Sequence, residues 1–392
     1  MNLLIYSHFF APSIGGVETI VKSLASGLAE LRDSRGTREF EIALITKTPA
    51  GSHDDTALPF PLVRQPGLFQ LWRLIRKSDL VHLAGPAVAP LLLVLLARKP
   101  LVIEHHGYQA VCPNGLLFHH PSQTVCPGHF AAANYLECLS CNREVEGRWG
   151  SARLLASTFL RNWGSRRANT NIAPSYHVAL RLGLPRTEVI AHGVPLPPPE
   201  KENPAFPSAL AAKTFAYVGR LVTEKGVSVL IEAARLLQNE GHDFRVLLLG
   251  DGPDRPRLEK RIAASGLERL VRITGFLPAP DLARELSCAG TVVIPTIMEE
   301  TAGLAALEQM ARGRLVIASK IGGLPEAVGD AGLTFPPADP PALAGAMAGV
   351  LSEPSFIEEL GRKARERVRS LFLFPKMIAK HARVFRQVSK AS

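Results

Sequence analysis

A chain of 392 residues suits two domains better than one large core. With 46% hydrophobic and 20% charged residues it is globular, which excludes an intrinsically disordered or low-complexity protein. The formal charge of +10 reads either as solubility or as attraction to an anionic surface, and it does not point to nucleic acid, because the aromatic residues are not interleaved with the basic runs.

The chain opens Met1-Asn2-Leu3-Leu4-Ile5-Tyr6 without the basic stretch of a secretory leader. Short apolar runs followed by helical patterns come next: Leu3 to Tyr6, Glu41 to Thr46, Leu80 to Leu83 and Leu101 to Glu104. The longest apolar stretch, Ala87 to Ala97, is shorter than the roughly 20 residues that span a bilayer and reads as a buried helix. A soluble cytoplasmic protein is therefore expected. Two segments combine cations with apolar anchors, as interfacial helices do: Leu68 to Lys77 and Phe159 to Arg167. They make an anionic membrane surface the expected peripheral partner. The basic tail, Arg362 to Lys390, reads as a solvated helix face.

A proline-rich stretch, Val194 to Pro204, cannot join a sheet and separates the halves. The second half then repeats the style at Phe215 to Val218, Arg245 to Leu249, Val271 to Thr274, Thr291 to Pro295 and Leu315 to Ser319. Strands alternating with helices imply α/β architecture, with doubly wound parallel sheets and ligand held beyond the carboxyl ends of the strands. The expected boundaries are residues 1–198 for the first domain, 199–212 for the linker and 213–370 for the second domain. Residues 371–392 are expected to form a helix that packs back on the first domain.

The segment Val218-Gly219-Arg220-Leu221-Val222-Thr223-Glu224-Lys225-Gly226 reads as strand, loop and helix mouth. Backbone N–H groups there favour an anion, and Arg220 and Lys225 would add charge-assisted hydrogen bonds to a diphosphate. Taken alone, both would be ordinary loop cations. Further on, Glu300 and Glu308 enclose seven residues, Thr301 to Leu307. They could sit two turns apart on one helix, but Thr301-Ala302-Gly303 reads as a loop with the helix starting near Gly303. Cations for phosphate and carboxylates for hydroxyls suit a sugar nucleotide.

These residues together resemble the GT-B glycosyltransferases of the large retaining family 4. The likeness rests on Val218 to Gly226, Gly250-Asp251-Gly252-Pro253, Gly275-Phe276-Leu277-Pro278, Glu300 to Glu308 with Gly303-Leu304 between, and Ile321-Gly322-Gly323-Leu324-Pro325-Glu326. In the first half, Gly15-Gly16-Val17-Glu18 and His106-Gly107 follow strands, as the family's glycine loop and histidine do. The resemblance implies two Rossmann-like domains facing a cleft. It implies donor binding by Gly15, Gly16, Gly219, Arg220, Lys225, Gly303, Leu304 and Glu308, with Glu308 on the ribose hydroxyls and Glu300 near the donor sugar. His106, Arg220, Lys225 and Glu300 would serve catalysis, and Glu18, Glu104 and His105 would face the acceptor. The plainer readings stay open: Gly15-Gly16 as a tight turn, Glu18 as a complement to a helix dipole, and the His105-His106 pair as structural.

Three departures from the family pattern stand out. Glu300-Thr301-Ala302-Gly303 lacks the aromatic usual beside the sugar, Glu104 stands where relatives usually carry threonine, and His192-Gly193-Val194 replaces an asparagine–glycine–valine and reads as a tolerated hinge change. No Asp-x-Asp pair occurs, so catalysis is expected to need no metal cofactor. Cys112, Cys126, Cys138 and Cys141 cluster in one insert, where structural zinc, reduced thiols, disulfides or another metal are all open readings. His119, His120 or His129 could replace a ligand.

The expected activity is transfer of a sugar from a UDP- or GDP-linked donor to a glycan or lipid-linked hydroxyl acceptor, in surface polysaccharide or glycolipid synthesis. The alternatives are a sugar-nucleotide epimerase of the same fold and a non-catalytic nucleotide- or glycan-binding subunit of a synthase complex.

Overall fold

The structure is a computed structural model, and it describes residues 1–13, 15–51, 53–197 and 209–391. The chain divides into two compact units: unit 1 is 1–193 with 374–392, and unit 2 is 194–373.

Unit 1 runs β1 (Asn2–Ser7), α1 (Gly16–Glu30), β2 (Glu41–Thr46), β3 (Leu62–Arg64), α2 (Leu68–Lys77), β4 (Leu80–Ala84), α3 (Val88–Leu96) and β5 (Leu101–Glu104). A small hairpin, β6 (Phe118–His119) and β7 (Thr124–Val125), precedes α4 (Tyr135–Ser165), which breaks at Gly147, where φ is 69°. Then come β8 (Thr170–Ala173), α5 (Tyr176–Leu182) and β9 (Thr187–Val189). The sheet order is β3-β2-β1-β4-β5-β8-β9, with every pairing parallel. Strands such as Leu80–Ala84 and Leu101–Glu104 are buried along their whole length, as a sheet covered on both faces requires. Leu4, Tyr6, Ile45, Val81, Leu83, Leu91 and Ile103 form the core beside α2 and α3.

Unit 2 runs α6 (Ala209–Ala212), β10 (Thr214–Val218), α7 (Val227–Asn239), β11 (Arg245–Leu249), α8 (Arg255–Ala264), β12 (Val271–Gly275) and α9 (Ala279–Ser287). It continues with β13 (Thr291–Ile294), α10 (Leu304–Ala311), β14 (Leu315–Ser319), α11 (Leu324–Val328), β15 (Leu333–Phe335), α12 (Pro340–Ser352) and α13 (Ser355–Leu371). Its parallel sheet has the order β12-β11-β10-β13-β14-β15 around a core that includes Phe215, Leu230, Leu248 and Ile317. The last helix, α14 (Phe374–Lys390), belongs to unit 1 and lies along α1 and β4.

The division falls at residue 193, a few residues before the expected 198. Of the expected linker, 199–208 lies outside the described residues, and Ala209–Ala212 is a single helical turn of unit 2. The helix expected to be buried over Ala87 to Ala97 is only half so. Leu91 and Val94 are fully buried, whereas Leu96 is 71% exposed. Short strands β3, β8, β9 and β15 carry too little apolar periodicity to stand out in the sequence.

Both sheets reverse their strand order at one point, β1/β4 in unit 1 and β10/β13 in unit 2. Loops leaving the carboxyl ends of such a strand pair diverge to opposite faces and open a crevice, where α/β proteins hold ligands.

Candidate functional site

In unit 2 the expected donor residues gather at the reversal point. Arg220 leaves the end of β10 and is exposed; Lys225 closes the following 3-10 turn, Thr223–Lys225. The loop after β13 brings Glu300 back, and Lys225 Nζ lies 2.5 Å from Glu300 Oε1 with both side chains partly accessible. The two loops are fastened through backbone. The Glu224 carbonyl accepts from Ile297 N and Thr296 Oγ1, each at 3.0 Å. Tyr217 Oη donates to the Arg220 carbonyl at 2.7 Å, and burial with the nearby Glu300 charge keeps the phenol un-ionised. Tyr217 went unnoticed in the sequence because it lies inside an apolar strand pattern.

Glycine is structurally required at two of these positions. Gly226 has φ 66°, and a Cβ there would meet the Pro295 carbonyl oxygen at 2.0 Å. At Gly322, φ is 62° and a Cβ would lie 2.3 Å from the Glu300 carbonyl oxygen. The Gly323 N–H donates to that same oxygen at 2.7 Å, so the Ile321–Glu326 segment holds the Glu300 loop in place. Gly303, at φ 62°, begins α10, which separates Glu300 on the loop from Glu308 on the helix. Glu308 is on the accessible side of α10, yet neighbouring protein desolvates its carboxyl and pushes it above the usual range, against the pull of Arg312. A larger hollow of about 550 Å³ lies near the amino ends of β10, β11 and β12, away from these residues.

In unit 1, a cavity of about 310 Å³ opens at the β1/β4 reversal point, lined by Ser7, His8, Phe9, Gly85, His106 and Arg161 among others. Gly15 precedes α1 in extended backbone, and a Cβ there would meet Glu18 Oε2 at 2.5 Å. Gly16 opens the helix and is exposed.

Glu104 and His105, expected to face an acceptor, are both 0% exposed, and this corrects that expectation. They end a central strand, where each side of the sheet is covered. His105 Nε2 pairs with Asn171 Oδ1 at 2.9 Å, and burial pushes its pKa down to about 4. Glu104 is ringed by imidazoles. His82 Nε2 is 3.2 Å from Oε2, His381 Nε2 3.4 Å and His106 Nε2 3.8 Å, while His192 Nε2 is 3.4 Å from Oε1. Burial pushes the carboxyl up, but His106, His381 and His192 outweigh it and hold it well below the usual range. Burial holds the His106 ring down to about 3, against the pull of Glu104, and lowers His82 as well. Nδ1 of His381 faces the Met377 carbonyl at 2.9 Å while its Nε2 faces Glu104. Both nitrogens thus face oxygen atoms of neighbouring groups.

His106 therefore joins this buried cluster to the wall of the cavity. His192, which reads in the sequence as a hinge change, is a member of the cluster, and so are His82 and His381. Histidines at 82, 192 and 381, far apart in sequence, give no joint signal until the chain folds.

Comparison with known proteins agrees with this anatomy. Residues 200–367 match the family described as glycosyl transferases group 1, and residues 14–196 match Glycosyltransferase Family 4. The chain belongs to glycosyltransferase family 4. Its fold is GT-B. It is similar to an alpha-D-kanosaminyltransferase of Streptomyces kanamyceticus, 38% identical over 38% of this chain and 39% of that protein. It is similar also to a D-inositol 3-phosphate glycosyltransferase of Corynebacterium urealyticum, 36% identical over 39% of this chain and 38% of that one. The matches thus span less than half the length of these curated relatives. Among solved structures, Anabaena Alr3699/HepE in complex with UDP and glucose superimposes with a TM-score of 0.71 at 19% identity, covering 99% of this chain and 100% of that one. A glycosyltransferase from Rickettsia africae matches with a TM-score of 0.71 at 18% identity, over 100% and 99% of the two chains.

Proposed function

We propose that this chain is a retaining, metal-independent hexosyltransferase that moves a sugar from a nucleotide-diphosphate donor to a hydroxyl acceptor. The observation that carries the reading is the Lys225–Glu300 pair, held across the β10/β13 reversal point by glycines that admit no side chain. An arriving diphosphate offers Lys225 a second anionic partner, and Arg220 stands exposed beside it. Release of Lys225 toward phosphate frees the Glu300 carboxylate to accept from sugar hydroxyls. Glu308 suits the ribose, since a carboxylate accepts from two adjacent hydroxyls. The likeness to Anabaena Alr3699/HepE, solved in complex with UDP and glucose, supports a donor of this class.

In the proposed step, the acceptor oxygen bonds to the anomeric carbon on the face from which the diphosphate leaves. The carbon–oxygen bond to the phosphate breaks, and the hydroxyl proton passes to the departing phosphate oxygen. Arg220 and Lys225 stabilise the charge that develops there, the role a metal fills elsewhere. The imidazole of His106 stands at the wall of the unit 1 cavity. Acceptor binding would use the 310 Å³ cavity of unit 1, where Arg161, His8 and Val17 line the wall.

No helix of the described residues is long and apolar enough to cross a membrane. A glycan or lipid-linked acceptor at an anionic membrane surface is supported by exposed Leu68, Phe69 and Trp149 on a cationic chain, and it extends the proposal to surface polysaccharide or glycolipid synthesis.

Thermal stabilisation by UDP, GDP and ADP tests the donor site. A nucleotide at about 100 times its Kd should add roughly 2.7 kcal/mol. The expected result is a rise in Tm with one base, much reduced in Lys225→Ala and in Glu308→Ala. Equal rises in wild type and both variants would place the nucleotide elsewhere.

A further inference from the structure

The cysteine insert lies between β5 and the middle of α4, apart from the residues assigned to transfer. Cys112 comes from the loop after β5, Cys126 directly follows β7, and Cys138 and Cys141 sit one turn apart near the start of α4. None is bonded to another, and all are at least nine-tenths buried, between 6% and 8% exposed. All line a single cavity of about 10 Å³, the space of about one water or ion.

Polar groups brace the sulfurs. The Gly128 N–H donates to Cys126 Sγ at 3.4 Å, and Asn114 Nδ2 donates to Cys141 Sγ at 3.5 Å. Asn114 is itself fixed, since its Oδ1 accepts from Leu116 N and Cys112 Sγ, each at 2.9 Å, and its Nδ2 also donates to the Phe118 carbonyl. Arg181 adds a cation on the Cys126 carbonyl at 2.7 Å. Two of the sulfurs thus accept N–H groups while Cys112 Sγ donates to Asn114, so polar contacts as well as packing hold these side chains around the cavity. Packing alone would be served as well by alanine or valine, without donors directed at sulfur.

The local fold also needs a fastening. The hairpin has two residues in each strand, too few to hold without support. Cys112 and Cys126 pack with Tyr108, Val178 and Leu182 on the body of unit 1, whereas Cys138 and Cys141 lie outside that cluster. A bond through a shared ion would tie α4 to the hairpin and to the body at one point.

We propose that this cavity is a structural zinc site with Cys112, Cys126, Cys138 and Cys141 as its ligands. Four cysteines from three elements lining one small cavity offer the soft donor set that zinc takes in closed, four-coordinate sites, and an ion would draw their sulfurs together. A harder group stands at the rim: the ligand atoms of His119, His129 and Glu137 lie within 4.8 Å of one another, and Ser122 Oγ holds His119 Nδ1 at 2.7 Å. Glu137 is half exposed, which suits a transient contact better than a closed structural site. The rim set is the competing location that the test must separate.

The experiment uses the full chain, purified under reducing conditions without chelator. Metal content is measured by plasma emission, and zinc release is followed with a chromogenic chelator during titration with a mercurial thiol reagent. One zinc per chain is expected, released as the thiols are blocked, with proteolysis opening first within 108–142. Cys138→Ser/Cys141→Ser should lose the metal, and His119→Ala/His129→Ala should keep it. Five reactive thiols, the exposed Cys288 included, in a zinc-free protein, cysteine pairing on non-reducing gels, iron with visible absorbance, or zinc lost only from the histidine variant would each overturn the proposal. The wild-type titration needs no variant, so misfolding cannot imitate its result. A nucleotide-induced rise in Tm reports separately on unit 2.

Discussion

The two units share a parallel sheet with one reversal of strand order, and they treat charge at its carboxyl edge in opposite ways. In unit 2, Lys225 and Glu300 meet in a partly accessible pair on loops shaped by glycine, where a ligand can replace one partner with another. In unit 1, the carboxylate that ends β5 is sealed from solvent and surrounded by imidazoles from β4, the loop after β5, the end of the unit near residue 192, and α14. An exposed pair contributes little to stability and leaves its charges available. A sealed charge has the reverse character: its partners become part of the structure, because any one of them left alone is costly.

The largest effect that would sharpen this contrast is expected for Glu104→Ala. It leaves the His381 ring facing no carboxylate, and breaking a buried pair in this way costs about 3–5 kcal/mol. Amide hydrogen exchange should accelerate in β4, β5 and α14 while unit 2 keeps its protection. Unchanged protection in those elements would mean that the cluster carries no net charge pairing.

Acid should act next, and mainly on unit 1, since His242 is the only histidine between 194 and 373. Burial holds His105 at about 4 and His106 at about 3, below the ordinary 6.5, so the unfolded chain binds more protons over that interval. Stability then rises with pH and is lost as pH falls from about 6.5 toward 3, by at most about 1.4 kcal/mol per pH unit for each ring. The lowered carboxyl of Glu104 acts in the same direction below 4.5. Hydrogen exchange at pH 7 and pH 5 would check the order; earlier opening of unit 2 would break the comparison.

The smallest stability change is expected for Lys225→Ala, less than about 1 kcal/mol, because the pair is reachable by water. Turnover should nevertheless fall by about 10²–10³, as when one donor to a developing oxyanion is removed. A variant that melts unit 2 instead would show the pair to be architectural.

The legible parts of the site were those written locally. The run from Val218 to Gly226 announces strand, loop and helix within nine residues, and Gly303 marks the start of α10 between the two glutamates. The strands Glu41–Thr46, Leu101–Glu104, Arg245–Leu249 and Leu315–Ser319 have the bounds their apolar runs predict, since a strand buried on both faces must be apolar throughout. By contrast, Glu104 looked like a surface group because the sequence shows its charge and not its cover. Its partners at 82, 192 and 381 are up to 277 positions away and come from separate elements.

The sequence alone determined the two parallel-sheet units, the family, and the loop that carries Arg220 and Lys225, because periodicity and glycine placement act over a few residues. Tertiary structure alone decided that Lys225 meets Glu300, that four cysteines line one cavity, and that Glu104 is enclosed by imidazoles. Those outcomes depend on which loops leave the same edge of a sheet and on how deeply they are covered, and burial sets the energy of a charge more strongly than its identity does.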